Sequence, residues 1–288
     1  MTKLEIRDLT PAYGSEVVGL DPHAELDEEA RAQLRRAFDE RSLLLFRGLD
    51  LDAKEQVDLA KLVIGHEGPT SDGSEVDTAE PYFVSNKKSG GGAPYGKLLF
   101  HSDMMWADTP FQVLTLFGLE VEEPVVPTLF TSAAHAWDTL PEDLRARVDG
   151  MHAVHMTGQR QRGEETEELL QPQRERVQST TKPVGNMHPR TGRTLLYVCQ
   201  MMTSHIVELS EEESEELLQA LFEHLYSSAM VWEHEWREGD LVMWDNLAIQ
   251  HARPDVSIDG PVRTLRKVIA PKPVLAERPE SPKFSKVN

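Results

Sequence analysis

This sequence predicts a mainly β fold with flanking helices, a double-sheet jelly roll, and three observations carry the prediction. Short β-patterned segments recur along the whole chain, separated by turns rich in Gly, Pro, Asn and Asp. Amphipathic helices are few and cluster near the start, around 132–149 and around 210–227. Hydrophobic residues make up 39% of 288 residues, enough for a substantial core. Strand-rich chains with outlying helices pack as two layers of sheet. Such a barrel has an open mouth, where inward-facing residues of separate strands meet.

The elements follow in order. Residues 3–7 and 15–20 read as strands around the turn Pro11-Ala12-Tyr13-Gly14. Asp27 to Arg41 reads as a helix, with Ala30, Leu34, Ala37 and Phe38 as its apolar stripe. Leu43 to Phe46 is a buried strand, closed by Arg47-Gly48. Asp52 caps a second helix, with Glu55 placed for a capping box and Val57, Leu59, Ala60 and Val63 facing inward. Residues 66–97 are rich in Gly, Ser, Pro and charge, and only Tyr82 to Ser85 looks like a strand. A loop of that length leading into His101 is expected to act as a lid. Strands are expected at 112–120 and 128–131. Ser132 caps a helix through Leu140, and Pro141 starts another at its first position. Val154 to Met156 reads as a strand, and 159–180 as a polar insert. Pro183–His188 and Thr194–Val198 flank the turn Pro189-Arg190-Thr191-Gly192 as a hairpin. Ser210 and Glu213 form a second capping box, before a helix burying Leu217, Leu218, Leu221, Phe222 and Leu225. Strands follow at 230–236, 240–244 and 262–270, and an extended arm from Pro271. The chain, 1–288, is expected to be one domain.

The net charge is −19, which argues against nucleic acid and anionic membrane as partners. No apolar run approaches the ~20 residues of a membrane helix. The opening residues lack the apolar stretch of a signal peptide. The one cysteine, Cys199, excludes an internal disulfide and reads as a small buried hydrophobe. Together these lead us to expect a cytoplasmic protein acting on a small molecule. Surface helices would permit a homo-dimer or tetramer.

The chemistry gathers around Leu98-Leu99-Phe100-His101-Ser102-Asp103. On a strand, residues i and i+2 share a face, so His101 and Asp103 would project together. They supply two ligands of a 2-His-1-carboxylate triad, the arrangement that leaves open positions on a non-haem Fe(II). His251 is the candidate third ligand. It follows a turn at Gly239-Asp240, a buried strand at 241–244, and Asp245-Asn246. Taken alone, the first pair reads more readily as a surface ion pair on an edge strand.

The combination of His101-x-Asp103, Trp244-Asp245-Asn246, His251 and the basic strand from Arg263 resembles the TauD/TfdA family. The resemblance runs from Val17-Val18-Gly19-Leu20-Asp21 to about Ala270. It includes Leu44-Leu45-Phe46-Arg47-Gly48 and the hairpin turn at Pro189. It implies a double-stranded β-helix and an Fe(II)- and 2-oxoglutarate-dependent dioxygenase that consumes O2 and oxidises a small organic substrate. His101, Asp103 and His251 would then hold Fe(II), and Thr128 would hydrogen-bond 2-oxoglutarate. Arg263 would fork onto the distal carboxylate, a geometry that suits a planar guanidinium. Arg266 competes for that role. In an extended strand Arg266 points away from Leu265 and Lys267, whereas Arg263 shares their face. Lys267 stands where relatives carry a second arginine that can face an anionic substrate. Asp103 favours hydroxylation over halogenation, because halogenating relatives lack that carboxylate.

Met104, Trp106 and Asn86 are further candidates for substrate contact. Trp244-Asp245-Asn246 is expected to act as a turn fixing His251. His152-x-x-His155 reads as a strand coincidence rather than a metal site. The competing function is a non-oxygenase metalloprotein, such as a zinc hydrolase using the same three ligands. Thr128 and Arg263 speak against it, since a hydrolase has no need of a dicarboxylate cradle.

Overall fold

The computed structural model describes residues 4–65, 82–89, 91–157 and 178–270. Most of the expected lid, most of the polar insert and the arm from Pro271 lie outside the described residues.

Alternation builds the core. In β3 (Leu43–Phe46), Leu43 and Leu45 join one apolar cluster, and Leu44 and Phe46 join another on the opposite face. The same split runs through β14 (Leu241–Asp245), where Val242 and Trp244 face the first cluster and Leu241 and Met243 the second. Period-2 geometry makes such a strand apolar throughout when both its faces are covered. What covers the second face is α1 (Glu28–Arg41) and α2 (Ala53–Val63), whose buried apolar residues are the expected stripes. Asp27 caps α1, and Asp52 with Glu55 forms the expected capping box on α2.

These strands belong to a seven-stranded sheet. Its order is β1 (Glu5–Asp8), β2 (Ser15–Val18), β3, β14, β6 (Val113–Val121), β16 (Arg263–Ala270), β4 (Tyr82–Ser85). A four-stranded sheet runs β13 (Trp232–His234), β7 (Thr128–Ser132), β15 (Ile249–Val256), β5 (Gly96–His101). Phe130 of β7 and Ile249 of β15 enter the same cluster as Leu45, Trp244 and Leu265, so the two sheets share one core. This is the expected double-sheet jelly roll. A third cluster gathers α3 (Ala133–Asp138), α4 (Glu142–Val148), α5 (Glu211–Leu225), and two small sheets. Those sheets are β8 (His152–Met156) with β9 (Ser179–Pro183) and β12 (Thr203–Ile206), and the hairpin β10 (Gly185–Met187) with β11 (Thr194–Leu196). Ser210 and Glu213 cap α5 as expected. Among the described residues, no helix is long and apolar enough to cross a membrane.

Four local readings are corrected. The strand expected through 98–103 ends at His101. Pro141 is the N-cap of α4 rather than its first residue. Ser179 and Thr180, assigned to the insert, pair with β8 as part of β9. Strands β12 and β15 were not anticipated. In β15, Gln250, His251, Arg253 and Asp255 break the apolar pattern. Gln250 is buried, accepting from the Tyr226 hydroxyl at 2.6 Å and donating to the Val198 carbonyl at 2.7 Å. Partners remote in sequence satisfy a strand that has no local apolar signal.

Candidate active site

The site begins with a strand pairing. His251 of β15 lies directly opposite His101 of β5, and the ring centroids are 4.2 Å apart. His101 Nδ1–H donates to the Leu99 carbonyl at 2.7 Å. That bond fixes the tautomer and leaves the Nε2 lone pair free to bind a metal. His101 Nε2 stands 3.1 Å from Asp103 Oδ1, and His251 Nε2 stands 4.0 Å from the same oxygen. One donor atom from each of the three residues falls within 4.8 Å of the others. Trp244 packs edge-on against His251 with centroids 5.0 Å apart, which limits how the ring can turn.

Two imidazole nitrogens and one carboxylate oxygen, mostly buried and converging on one point, are a donor set that fits Fe(II). Burial and the neighbouring His101 hold the His251 pKa well below its ordinary value, so that ring is neutral. Burial works against the charged form of Asp103. The Lys267 ammonium favours that form, and the carboxyl sits well below the usual range.

Asp103 reaches this position by an unexpected route. It lies beyond the end of β5, so strand alternation does not aim it. A turn does, with Met104 at φ 55. Asn246 grips the Asp103 peptide from the turn between β14 and β15.

The second constellation bridges the sheets. Arg263, at the start of β16, donates through Nη2 to Thr128 Oγ1 at 3.0 Å and through Nε to the Val126 carbonyl at 3.0 Å. Trp236 Nε1–H donates to the same threonine oxygen at 2.9 Å. Arg263 is 5% exposed, and burial, then the Arg253 charge, lower its pKa. Among the described residues no carboxylate pairs with it. Arg266 faces the other way. It donates through Nε to Gln56 Oε1 at 2.7 Å and through Nη2 to the Leu51 carbonyl at 2.6 Å, tying β16 to α2. The bulge in the β16–β6 pairing adds its extra residue to β6, so β16 keeps its alternation.

Lys267 shares the face of Arg263, and its ammonium rests on Asp103 Oδ2. Tyr82 lies opposite Lys267 in the β4–β16 register, half exposed, with its ring 5.8 Å from the ammonium. Sequence reading passed over Tyr82, although its strand was recognised. Register alone reveals the pairing. Met104 packs on the inter-sheet core, and Trp106 is half-buried in the turn that follows. Asn86 is turned elsewhere. Its amide donates to the carbonyls of Ser257 and Pro261 and accepts from Arg263 N–H, so it anchors the 257–263 segment.

His152 and His155 do not form a site. His152 is exposed beside Glu208, while His155 is buried against Thr203. Cys199 is fully buried. His188 and His234, unremarkable in sequence, meet the buried carboxylates of Asp245 at 3.0 Å and Asp240 at 3.4 Å.

The family described as taurine catabolism dioxygenase TauD, TfdA family matches residues 5–269. An alpha-ketoglutarate-dependent 2,4-dichlorophenoxyacetate dioxygenase of Cupriavidus pinatubonensis is 27% identical over 269 residues, covering 86% of this chain and 92% of its own. Pentalenolactone F synthase of Streptomyces avermitilis is 29% identical over 280 residues, covering 90% of each. The crystal structure of a taurine dioxygenase from Burkholderia xenovorans matches with a TM-score of 0.74 and 27% identity, over 94% of this chain and 93% of that one. The matched span takes in both sheets, the three converging side chains and the Thr128–Arg263 pair, and the chain belongs to the TauD, TfdA family of 2-oxoglutarate-dependent dioxygenases.

Proposed function

We propose that this protein couples decarboxylation of 2-oxoglutarate to oxidation of a small anionic substrate, with His101, Asp103 and His251 holding Fe(II). When bound, Fe(II) with 2-oxoglutarate and O2 supplies the oxidising power, releasing succinate and CO2 and oxidising a substrate C–H bond. The observation that carries the reading is Arg263. A buried guanidinium without a counter-ion is costly, and a dicarboxylate that brings one relieves the cost.

Each residue has a task. The Leu99 carbonyl keeps the proton on His101 Nδ1. Trp244 holds the plane of His251. Thr128, itself held by Trp236, and Arg263 receive the distal carboxylate of 2-oxoglutarate. Arg266 keeps a structural task on the outer face. Lys267 offers a cation to a substrate carboxylate, sulfonate or sulfate. It is a point charge rather than a fork, so it attracts such groups without setting their plane. The relatives named for 2,4-dichlorophenoxyacetate and (S)-phenoxypropionate act on carboxylates, which favours that class. Tyr82 supplies apolar surface beside Lys267, and Met104 and Trp106, in the turn after Asp103, are further candidates for substrate contact. A reducing, cytoplasmic setting suits the single buried thiol. Assembly as a dimer or tetramer is read by sedimentation.

The test is an anaerobic titration of metal-free protein with Fe(II) and 2-oxoglutarate, followed by visible absorption. A weak charge-transfer band that needs both components supports chelation in this site. Absence of the band together with tight Zn(II) binding would move the reading to a hydrolytic metal site.

A further inference from the structure

Asp103 stands beyond the ladder of β5, yet one side chain fixes its peptide at two points. Asn246 Oδ1 accepts from Asp103 N–H at 2.9 Å, and Asn246 Nδ2 donates to the Asp103 carbonyl at 2.9 Å. The same Nδ2 reaches the Phe111 carbonyl at 3.3 Å, and Asn246 N–H donates to the Gln112 carbonyl at 2.8 Å. The side chain is fully buried, so water cannot replace these bonds.

Asn246 is itself held rigidly. Oδ1 of the preceding Asp245 accepts from Leu247 N–H at 3.0 Å and Ala248 N–H at 3.2 Å, closing the turn that leads into β15 and His251. Asp245 Oδ2 is held by Arg190 and by His188 Nε2 at 3.0 Å. His188 Nδ1 accepts from the N–H groups of Arg190 and Thr191, each at 3.1 Å, so its proton sits on Nε2, beside Asp245. The turn is thus locked from the hairpin side, and Asn246 extends from it to Asp103. A brace of this kind couples the segment bearing the carboxylate to the segment bearing His251.

We infer that Asn246 is the positioning residue for Asp103, setting the carboxylate against the two histidines, an inference that rests on the metal reading above. The turn 245–248 therefore serves both ends of the ligand set, and not His251 alone. The chemistry requires an amide at 246. A carboxylate there could accept from Asp103 N–H but not donate to its carbonyl. A leucine could do neither.

The experiment measures anaerobic Fe(II) binding and the Fe(II)–2-oxoglutarate absorption band in the wild type, Asn246→Asp, Asn246→Leu and His251→Ala, with melting of each metal-free protein. Support would be a rise in Fe(II) Kd of roughly 10–100-fold for Asn246→Leu, the range of lost outer-sphere partners, with a smaller rise and a shifted band for Asn246→Asp. Metal-free Asn246→Asp, which strands two carbonyls, should melt lower than wild type but still in a cooperative transition. Unchanged Fe(II) Kd and band in the folded variants, beside a large loss in His251→Ala, would overturn the role of Asn246 and leave the metal reading standing. Fe(II) binding unaffected by His251→Ala would remove the metal reading, and the inference with it. Collapse of the metal-free fold in both Asn246 variants would make the residue structural and overturn the inference.

Discussion

Arg263 and Thr128 meet across the two sheets, the guanidinium Nη2 donating to Oγ1 at 3.0 Å with no carboxylate paired to the cation among the described residues. Arg266, three positions along the same strand, is committed to Gln56 and the start of α2. The two arginines should therefore fail differently. Charged hydrogen bonds contribute about 1.5–3 kcal/mol, so Arg263→Ala should weaken 2-oxoglutarate binding, raising its KM roughly 10–100-fold. Arg266→Ala should leave that KM within about threefold, yet cost about 2–3 kcal/mol of stability by stranding buried Gln56 and two carbonyls. Steady-state kinetics paired with urea denaturation separates them, and the reverse order would hand the cosubstrate role to Arg266.

Asp103→Ala should abolish the Fe(II)-dependent absorption band and succinate formation while leaving the far-ultraviolet dichroism unchanged. The carboxylate pairs with the Lys267 ammonium and the two imidazoles rather than with the apolar core. Full succinate production by this variant would eliminate the ligand set.

Lys267→Ala should weaken an anionic substrate, raising its KM by about tenfold or more, as expected for a lost charge-assisted contact. Binding of the cosubstrate 2-oxoglutarate should suffer less. Tyr82→Ala should act in the same direction, because its ring stands beside the Lys267 ammonium. A Cβ on Gly92 would overlap the Tyr82 hydroxyl, so Gly92→Ala should displace the ring and reproduce part of that loss. Equal effects on substrate and cosubstrate would place Lys267 in metal or cosubstrate binding instead.

His155 predicts a pH dependence of stability. Burial pushes its pKa down to about 3, with Lys182 contributing. Below the unfolded value near 6.5 the unfolded chain takes up a proton that the native state refuses, so stability falls as pH falls through 6.5 toward 3. Linkage sets the loss between pH 7 and pH 5 at about 2 kcal/mol from this group. Urea titrations of wild type and His155→Gln at both pH values read it directly. An identical pH dependence in the two proteins would show that His155 takes up its proton in the native state.

Much of this protein was legible in its sequence because local rules and the fold agree. The stripe Ala30-Leu34-Ala37-Phe38, the capping boxes at Asp52 and Ser210 and the strand at 43–46 each need only neighbours in the chain. Strand alternation also put Arg263 and Arg266 on opposite faces while leaving the choice between them open, and β16 keeps that alternation because the bulge falls on β6.

What tertiary structure alone decided is how Asp103 reaches the histidines and which residues hold it there. The sequence offered the candidate ligand types and their order, since a 2-His-1-carboxylate set is a matter of side-chain chemistry. It carried no sign that β5 stops at His101 or that 249–256 forms a strand, because polar residues there are satisfied by groups far along the chain. Asn246 donates to a carbonyl of residue 103, Gln250 to one of residue 198, and Trp236 to the hydroxyl of Thr128. Hydrogen bonds between distant segments leave no periodicity behind, and only the folded chain brings their partners together.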